Sequence, residues 1–374
     1  MRFIIPYCLS LLLVYSLAFG NDDIARCSPY IDTTDVRIAP AIKTWMQYLN
    51  SSPDSLQEHS LWLMRDRNDR FSFDPARAWV FQSKEFIKKY PPYIIGAEAV
   101  QEDKVLIKTL FQGYDSTGIV LPIATYRVYA RLIDEQWQLE SVIESMTEEW
   151  NTKKIGGITF YMSPKHTYSS LLARKAMRFC DSLTALFDVS DIEDARYYIA
   201  TSRDELASML GFDFYVSTPQ GLTYPEKDWV FTALDTEFHS HELVHLIFRS
   251  FSQTHPFIAE GLSTWLGGSL GQHLNTLKKQ LAKEYIRRPA ELTIEQVLEK
   301  GQKESLSYYT FGALICRQVF LLRGGSGLKK FLHDAMVETQ YLPQIIARHL
   351  SIQREEIDPF IRATLLDAHT LGSD

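Results

Sequence analysis

Residues 238–248 read Phe238-His239-Ser240-His241-Glu242-Leu243-Val244-His245-Leu246-Ile247-Phe248, a stretch that contains His-Glu-x-x-His. Residues four apart lie on one face of a helix, so His241 and His245 can present their imidazoles to a single ion. Glu242 projects beside them, where it can take a proton from a metal-bound water. Leu243, Val244, Ile247, Phe248 and Phe251 supply the apolar face that buries such a helix. His239 sits two residues from His241 and therefore points off the metal face, toward solvent or a supporting position.

A second helix follows, His255-Pro256-Phe257-Ile258-Ala259-Glu260-Gly261-Leu262-Ser263-Thr264-Trp265-Leu266. Its one acid, Glu260, faces inward among Ile258, Leu262 and Trp265. A lone carboxylate in that company is costly unless it pairs or coordinates a metal, which makes Glu260 the expected third ligand. His255, in a loop before Pro256, stays open as an alternative. The metzincin pattern needs Gly and then His at three and six residues past the second His; Phe248 and Phe251 stand there instead. Three protein ligands leave a fourth position for water, whereas a structural zinc site would need a closed set of four, and no fourth ligand is visible.

Outward from the motif, Trp229 to Leu234 is an apolar, strand-like run, expected to offer an edge to an extended substrate. Before it come a strand at Gly157 to Met162, a helix from about Ser169 to Phe187 and a strand at Arg196 to Ala200. A further helix starts with Ser202 as cap and acids in its first turn. Thr147 to Ile155 reads as a polar join. After residue 270 the pattern is almost wholly helical. Thr293 and Gln296 form a capping box, and Gly324-Gly325-Ser326-Gly327 ends a long helix that begins near Leu306.

These motifs carry a family resemblance. H-E-L-V-H followed by P-F-I-A-E-G-L-S-T-W-L resembles the gluzincin peptidases, specifically the peptidase-MA-like group, over about residues 156 to 345. The resemblance implies a zincin-like α+β peptidase domain over 151–374, helical from about 271. It also implies one Zn2+ held by His241, His245 and Glu260, with Glu242 as general base and a peptide or protein as substrate. Tyr309, in Tyr309-Thr310-Phe311-Gly312, corresponds to the tyrosine that donates to the oxyanion in several gluzincins, with Tyr308 competing for the role. Many gluzincins carry an acid four residues after the ligand Glu that orients a histidine; here that residue is Thr264. The G-x-M-E-N stretch of gluzincin aminopeptidases is absent, which argues against aminopeptidase specificity; an endopeptidase is the expectation. The alternative is a catalytically inactive zincin-like scaffold or binding protein, against which the intact Glu242 speaks.

Residues 21–150 read as a separate α+β unit. A helical stretch with Ile42, Trp45, Met46 and Leu49 and another over Ala78 to Lys89 precede four strand-like runs. These are Tyr93 to Val100, Lys104 to Phe111, Val120 to Leu132 and Gln136 to Val142. Helices followed by an antiparallel meander resemble the cone of nuclear-transport-factor-like and cystatin-like domains. No catalytic constellation is visible there, so this unit reads as a packing module or the binding site of a protein partner.

Residues 1–20 read as a signal peptide: Arg2, an apolar stretch from Ile4 to Ala18, and a small-x-small cleavage site at Ala18-Phe19-Gly20. The stretch is short of the roughly 20 residues that span a bilayer. The expectation is therefore an exported protein, periplasmic or secreted, with no stable membrane span after cleavage; an uncleaved anchor is the alternative. The 374 residues are 45% hydrophobic and 23% charged, which is globular composition. Net charge is −7, or −8 without Arg2, and no basic run marks a nucleic-acid footprint. Beyond Cys8 in the leader stretch, Cys27, Cys180 and Cys316 permit at most one internal bridge. Cys180 and Cys316, inside apolar helical patterns, read as buried thiols.

Overall fold

The computed structural model describes residues 25–51, 60–66, 89–287, 292–301 and 305–367. The expected signal peptide over residues 1–20, Cys8 within it and the expected helix over Ala78 to Lys89, apart from Lys89 itself, fall outside them. The first half runs β1 (Arg26–Cys27), α1 (Ile38–Leu49), β2 (Pro92–Gln101), β3 (Lys104–Tyr114), β4 (Val120–Ile133), β5 (Gln136–Glu140) and α2 (Ile143–Thr147). Strands β2 to β5 form the antiparallel meander that their period-2 pattern implies, with burial alternating along β3 and β4. Helix α1 lays Ile42, Trp45, Met46 and Leu49 into the core. The Trp45 indole N–H donates to Thr109 Oγ1 at 2.7 Å, so burying that ring leaves no orphan donor.

The chain continues through β6 (Asn151–Ile155), β7 (Ile158–Met162), α3 (Ser170–Phe187), β8 (Ala195–Ile199), α4 (Arg203–Met209), β9 (Phe212–Tyr215), β10 (Gly221–Tyr224) and β11 (Trp229–Thr232). Ser169 and Ser202 cap α3 and α4 by accepting from Leu172 N and Glu205 N. The second sheet has the order β10-β11-β8-β7-β6, with parallel pairing at β11–β8 and β8–β7 and an antiparallel strand at each edge. Residues 151–155, expected as a polar join, are thus the edge strand β6. Four of its five residues are exposed, so no apolar alternation announces it.

The limit drawn near residue 150 is crossed twice. Strand β9 joins the first sheet by pairing with β4. The second sheet is buried on both faces: Tyr197, Ile199 and Val230 enter the core beneath the helices, while Tyr198 and Phe231 enter the core of the first sheet, stacked at 4.9 Å.

The remaining helices are α5 (Ser240–Ile247), α6 (Pro256–Gly267), α7 (Leu274–Arg287), α8 (Ile294–Lys300), α9 (Ser305–Val337), α10 (Leu342–Leu350) and α11 (Ile357–Leu366). Both bonds of the Thr293–Gln296 capping box are present. Helix α9 breaks at Gly324, whose φ of 66° and ψ of −169° interrupt the helical course where the glycine run sits. The described residues therefore make an α+β fold of two mixed sheets and eleven α-helices. No described helix is long and apolar enough to cross a membrane. Cys180 and Cys316 are buried free thiols, and Cys27 is a half-buried one.

Candidate metal centre

Helix α5 carries His241 and His245, and α6 brings Glu260 to them. Their ligand atoms lie within 4.8 Å of one another. Glu260 Oε2 stands 3.0 Å from His241 Nε2 and 3.7 Å from His245 Nε2. Ligand atoms at zinc distances in a tetrahedral arrangement are about 3.4 Å apart. The two separations straddle that value, so the donor set could hold a small, borderline-soft cation. His255 is occupied elsewhere: it caps α6, its Nδ1 accepting from Phe257 N at 3.2 Å. It does not belong to the cluster.

The support of His241 differs from what its neighbours in sequence imply. Thr264 is fully buried, but its hydroxyl finds no partner among the described residues, so it orients neither histidine of the cluster. That task falls to the backbone: His241 Nδ1 lies 2.7 Å from the Gly268 carbonyl, which keeps a hydrogen on Nδ1 and turns Nε2 toward Glu260. Ser240 Oγ donates to the Gly267 carbonyl at 2.6 Å, tying the start of α5 to the end of α6. Burial disfavours the His241 cation, but the hydrogen bond to Glu260 and the charges of Glu260 and Glu242 outweigh it and push the pKa up to about 9. Burial acts against the Glu260 anion as well. The bonds from His241 and His245 overcome it and hold the carboxyl well below the usual carboxylate range.

Glu242 lies beside the cluster and outside it, 6% exposed. Thr223 Oγ1, on β10, lies 2.8 Å from Glu242 Oε2. A cleft of about 320 Å³ opens here, lined among others by Gly221, His239, His241, Glu242, Gly268 and Tyr309. The Tyr309 ring is 6.3 Å from that of His241, whereas Tyr308 is buried and packs edge-on against Phe257 at 5.1 Å. Of the two tyrosines, it is Tyr309 that lines the cleft. Burial, reinforced by the Glu260 and Glu242 charges, raises its pKa and keeps its hydroxyl protonated at neutral pH. His239, expected off the metal face, is a half-buried wall of the same cleft, with Nδ1 3.1 Å from Thr232 Oγ1.

One expectation is corrected. Strand β11 cannot receive an added strand, because β8 and β10 occupy its two edges. The edge beside the cleft belongs to β10, which the sequence reading missed together with Thr223. All four β10 residues are half-buried, so the strand has no periodic signature.

No protein-family description and no curated protein sequence matches this chain.

Proposed function

We propose that the protein is a zinc-dependent hydrolase and, within that class, a gluzincin-type peptidase acting on peptides or proteins, most simply as an endopeptidase. The observation that carries this reading is the meeting of His241, His245 and Glu260, from two helices, at the edge of a cleft that His241 lines together with Glu242 and Tyr309. His241, His245 and Glu260 would hold a zinc ion, which when bound would supply Lewis acidity to water and the substrate carbonyl. Glu242 takes the proton of the attacking water and passes it to the leaving amine, its carboxylate held in place by the Thr223 hydroxyl. Tyr309 donates to the substrate carbonyl oxygen as negative charge builds there. The peptide lies extended against the free edge of β10, as an added strand would.

On this reading the second sheet with α5 and α6 is zincin-like, and α1 with the first sheet forms the cone-like unit that binds a protein partner. Residues 1–20 direct export and are then removed. The test is zinc analysis of the purified protein together with digestion of a peptide library. One zinc per chain and chelator-sensitive cleavage within peptides are expected. Cleavage indifferent to chelation would refute the reading.

A further inference from the structure

We propose that His239 is a substrate-binding residue at the Gly221 end of β10, donating from Nε2 to a backbone carbonyl of the bound peptide. The inference rests on the peptidase reading and adds a residue and a tautomer to it. Thr232 is fully buried, and its Oγ1 already accepts from Leu234 N at 3.2 Å. Its hydroxyl hydrogen needs an acceptor inside the protein, and among the described residues that acceptor is His239 Nδ1, 3.1 Å away. A neutral imidazole that accepts at Nδ1 carries its hydrogen on Nε2. The ring therefore offers a donor to the cleft it lines.

Its position suits a peptide on β10. That strand begins at Gly221, and the Gln220 carbonyl before it accepts from Ala233 N at 2.7 Å, so this carbonyl faces β11 and is not offered to a peptide. The imidazole lies directly against Gly221: a methyl built there would stand 2.5 Å from His239 Cε1 and 2.8 Å from Glu242 Cγ. The missing side chain at 221 thus lets the strand, the imidazole and Glu242 come together. The ring lies on the sheet face over the Gly221–Thr232 pair, so a peptide paired with the edge of β10 at Gly221 would have the imidazole beside it.

The test is steady-state hydrolysis of one peptide identified as a substrate of the wild type, with zinc content checked in every variant. His239→Leu should raise KM about tenfold with kcat nearly unchanged, the pattern of a lost ground-state hydrogen bond. His239→Gln, whose amide nitrogen can reach the Nε2 position, should recover most of the loss. Thr232→Val keeps the imidazole but frees its tautomer, and should raise KM severalfold; a purely structural role for His239 would not produce this. If the His239→Leu variant fails to fold, the Thr232→Val result decides. Wild-type KM in both His239→Leu and Thr232→Val would overturn the inference and leave the peptidase reading standing. A zinc-loaded wild type that cleaves no peptide would overturn both.

Discussion

Replacing Gly261 by Ala tests how the third ligand is held. Gly261 follows Glu260 on α6 and crosses Gly312 on α9 with no side chain between the two backbones. A methyl at 261 would lie 2.3 Å from the Gly312 carbonyl carbon and 2.5 Å from its Cα, and these backbone atoms cannot rotate aside. The crossing is tight from the other helix too, since a methyl at Gly312 would lie 2.5 Å from the Phe257 carbonyl oxygen. To restore ordinary contact, the helices must part by about an ångström in a close-packed interior. Overpacking of this kind costs about 1–3 kcal/mol. The larger consequence concerns Glu260, because metal sites tolerate ligand displacements of only about 0.2 Å. Gly261→Ala should therefore lower zinc affinity at least tenfold and reduce the melting temperature by several degrees, measured by competition with a chromophoric chelator and by calorimetry. Gly96→Ala, where a methyl meets nothing within 4 Å, serves as the control. Wild-type zinc affinity in Gly261→Ala would refute the argument that this helix crossing sets the ligand geometry.

Tyr309→Phe should retain zinc and lose about 10²-fold in kcat, as removal of an oxyanion donor does. Tyr308→Phe should leave kcat near wild type, and equal losses in the two would remove Tyr309 from its role. Asp66 is 2% exposed, and burial raises its pKa to about 6, only partly offset by the Ser141 N–H and the Arg65 and Lys227 charges. Its folded pKa lies above the unfolded value, so its stabilising contribution is full below the unfolded pKa and is lost as pH rises through about 6. Between pH 5 and 7.5 the wild type should lose on the order of 1–2 kcal/mol relative to Asp66→Asn in urea unfolding, and parallel profiles would contradict this. Intact-mass measurement of exported material should place the mature N-terminus near Asn21; retention of Met1 would favour an anchor.

The readable parts of the chain were those where local chemistry and periodicity agree. Ser169, Ser202 and the Thr293–Gln296 box cap their helices as their side chains imply. The convergence of Glu260 on His241 and His245 follows from an inward-facing acid on an apolar helix. What stayed hidden depends on contacts distant in sequence or on the backbone. Thr223 reaches Glu242 only because β10 folds over α5, and a half-buried edge strand has no alternation to reveal it. The carbonyl that orients His241 belongs to Gly268, and backbone carbonyls are common to every residue type. Tyr308 and Tyr309, adjacent on one helix, became distinguishable only when Phe257 was seen to cover the first. The boundary near 150 followed a change of pattern, whereas packing runs across it because β8 and β11 present apolar side chains to both cores.

The central claim is that this cleft hydrolyses peptides through Glu242. The most direct measurement compares peptide hydrolysis by the zinc-loaded wild type and by Glu242→Gln, with zinc content determined in both. The substitution preserves shape and leaves His241, His245 and Glu260 in place, so zinc should stay at one per chain. Loss of the general base should lower the rate by about 10²–10⁴-fold. Undiminished hydrolysis by Glu242→Gln at full zinc content would contradict the claim.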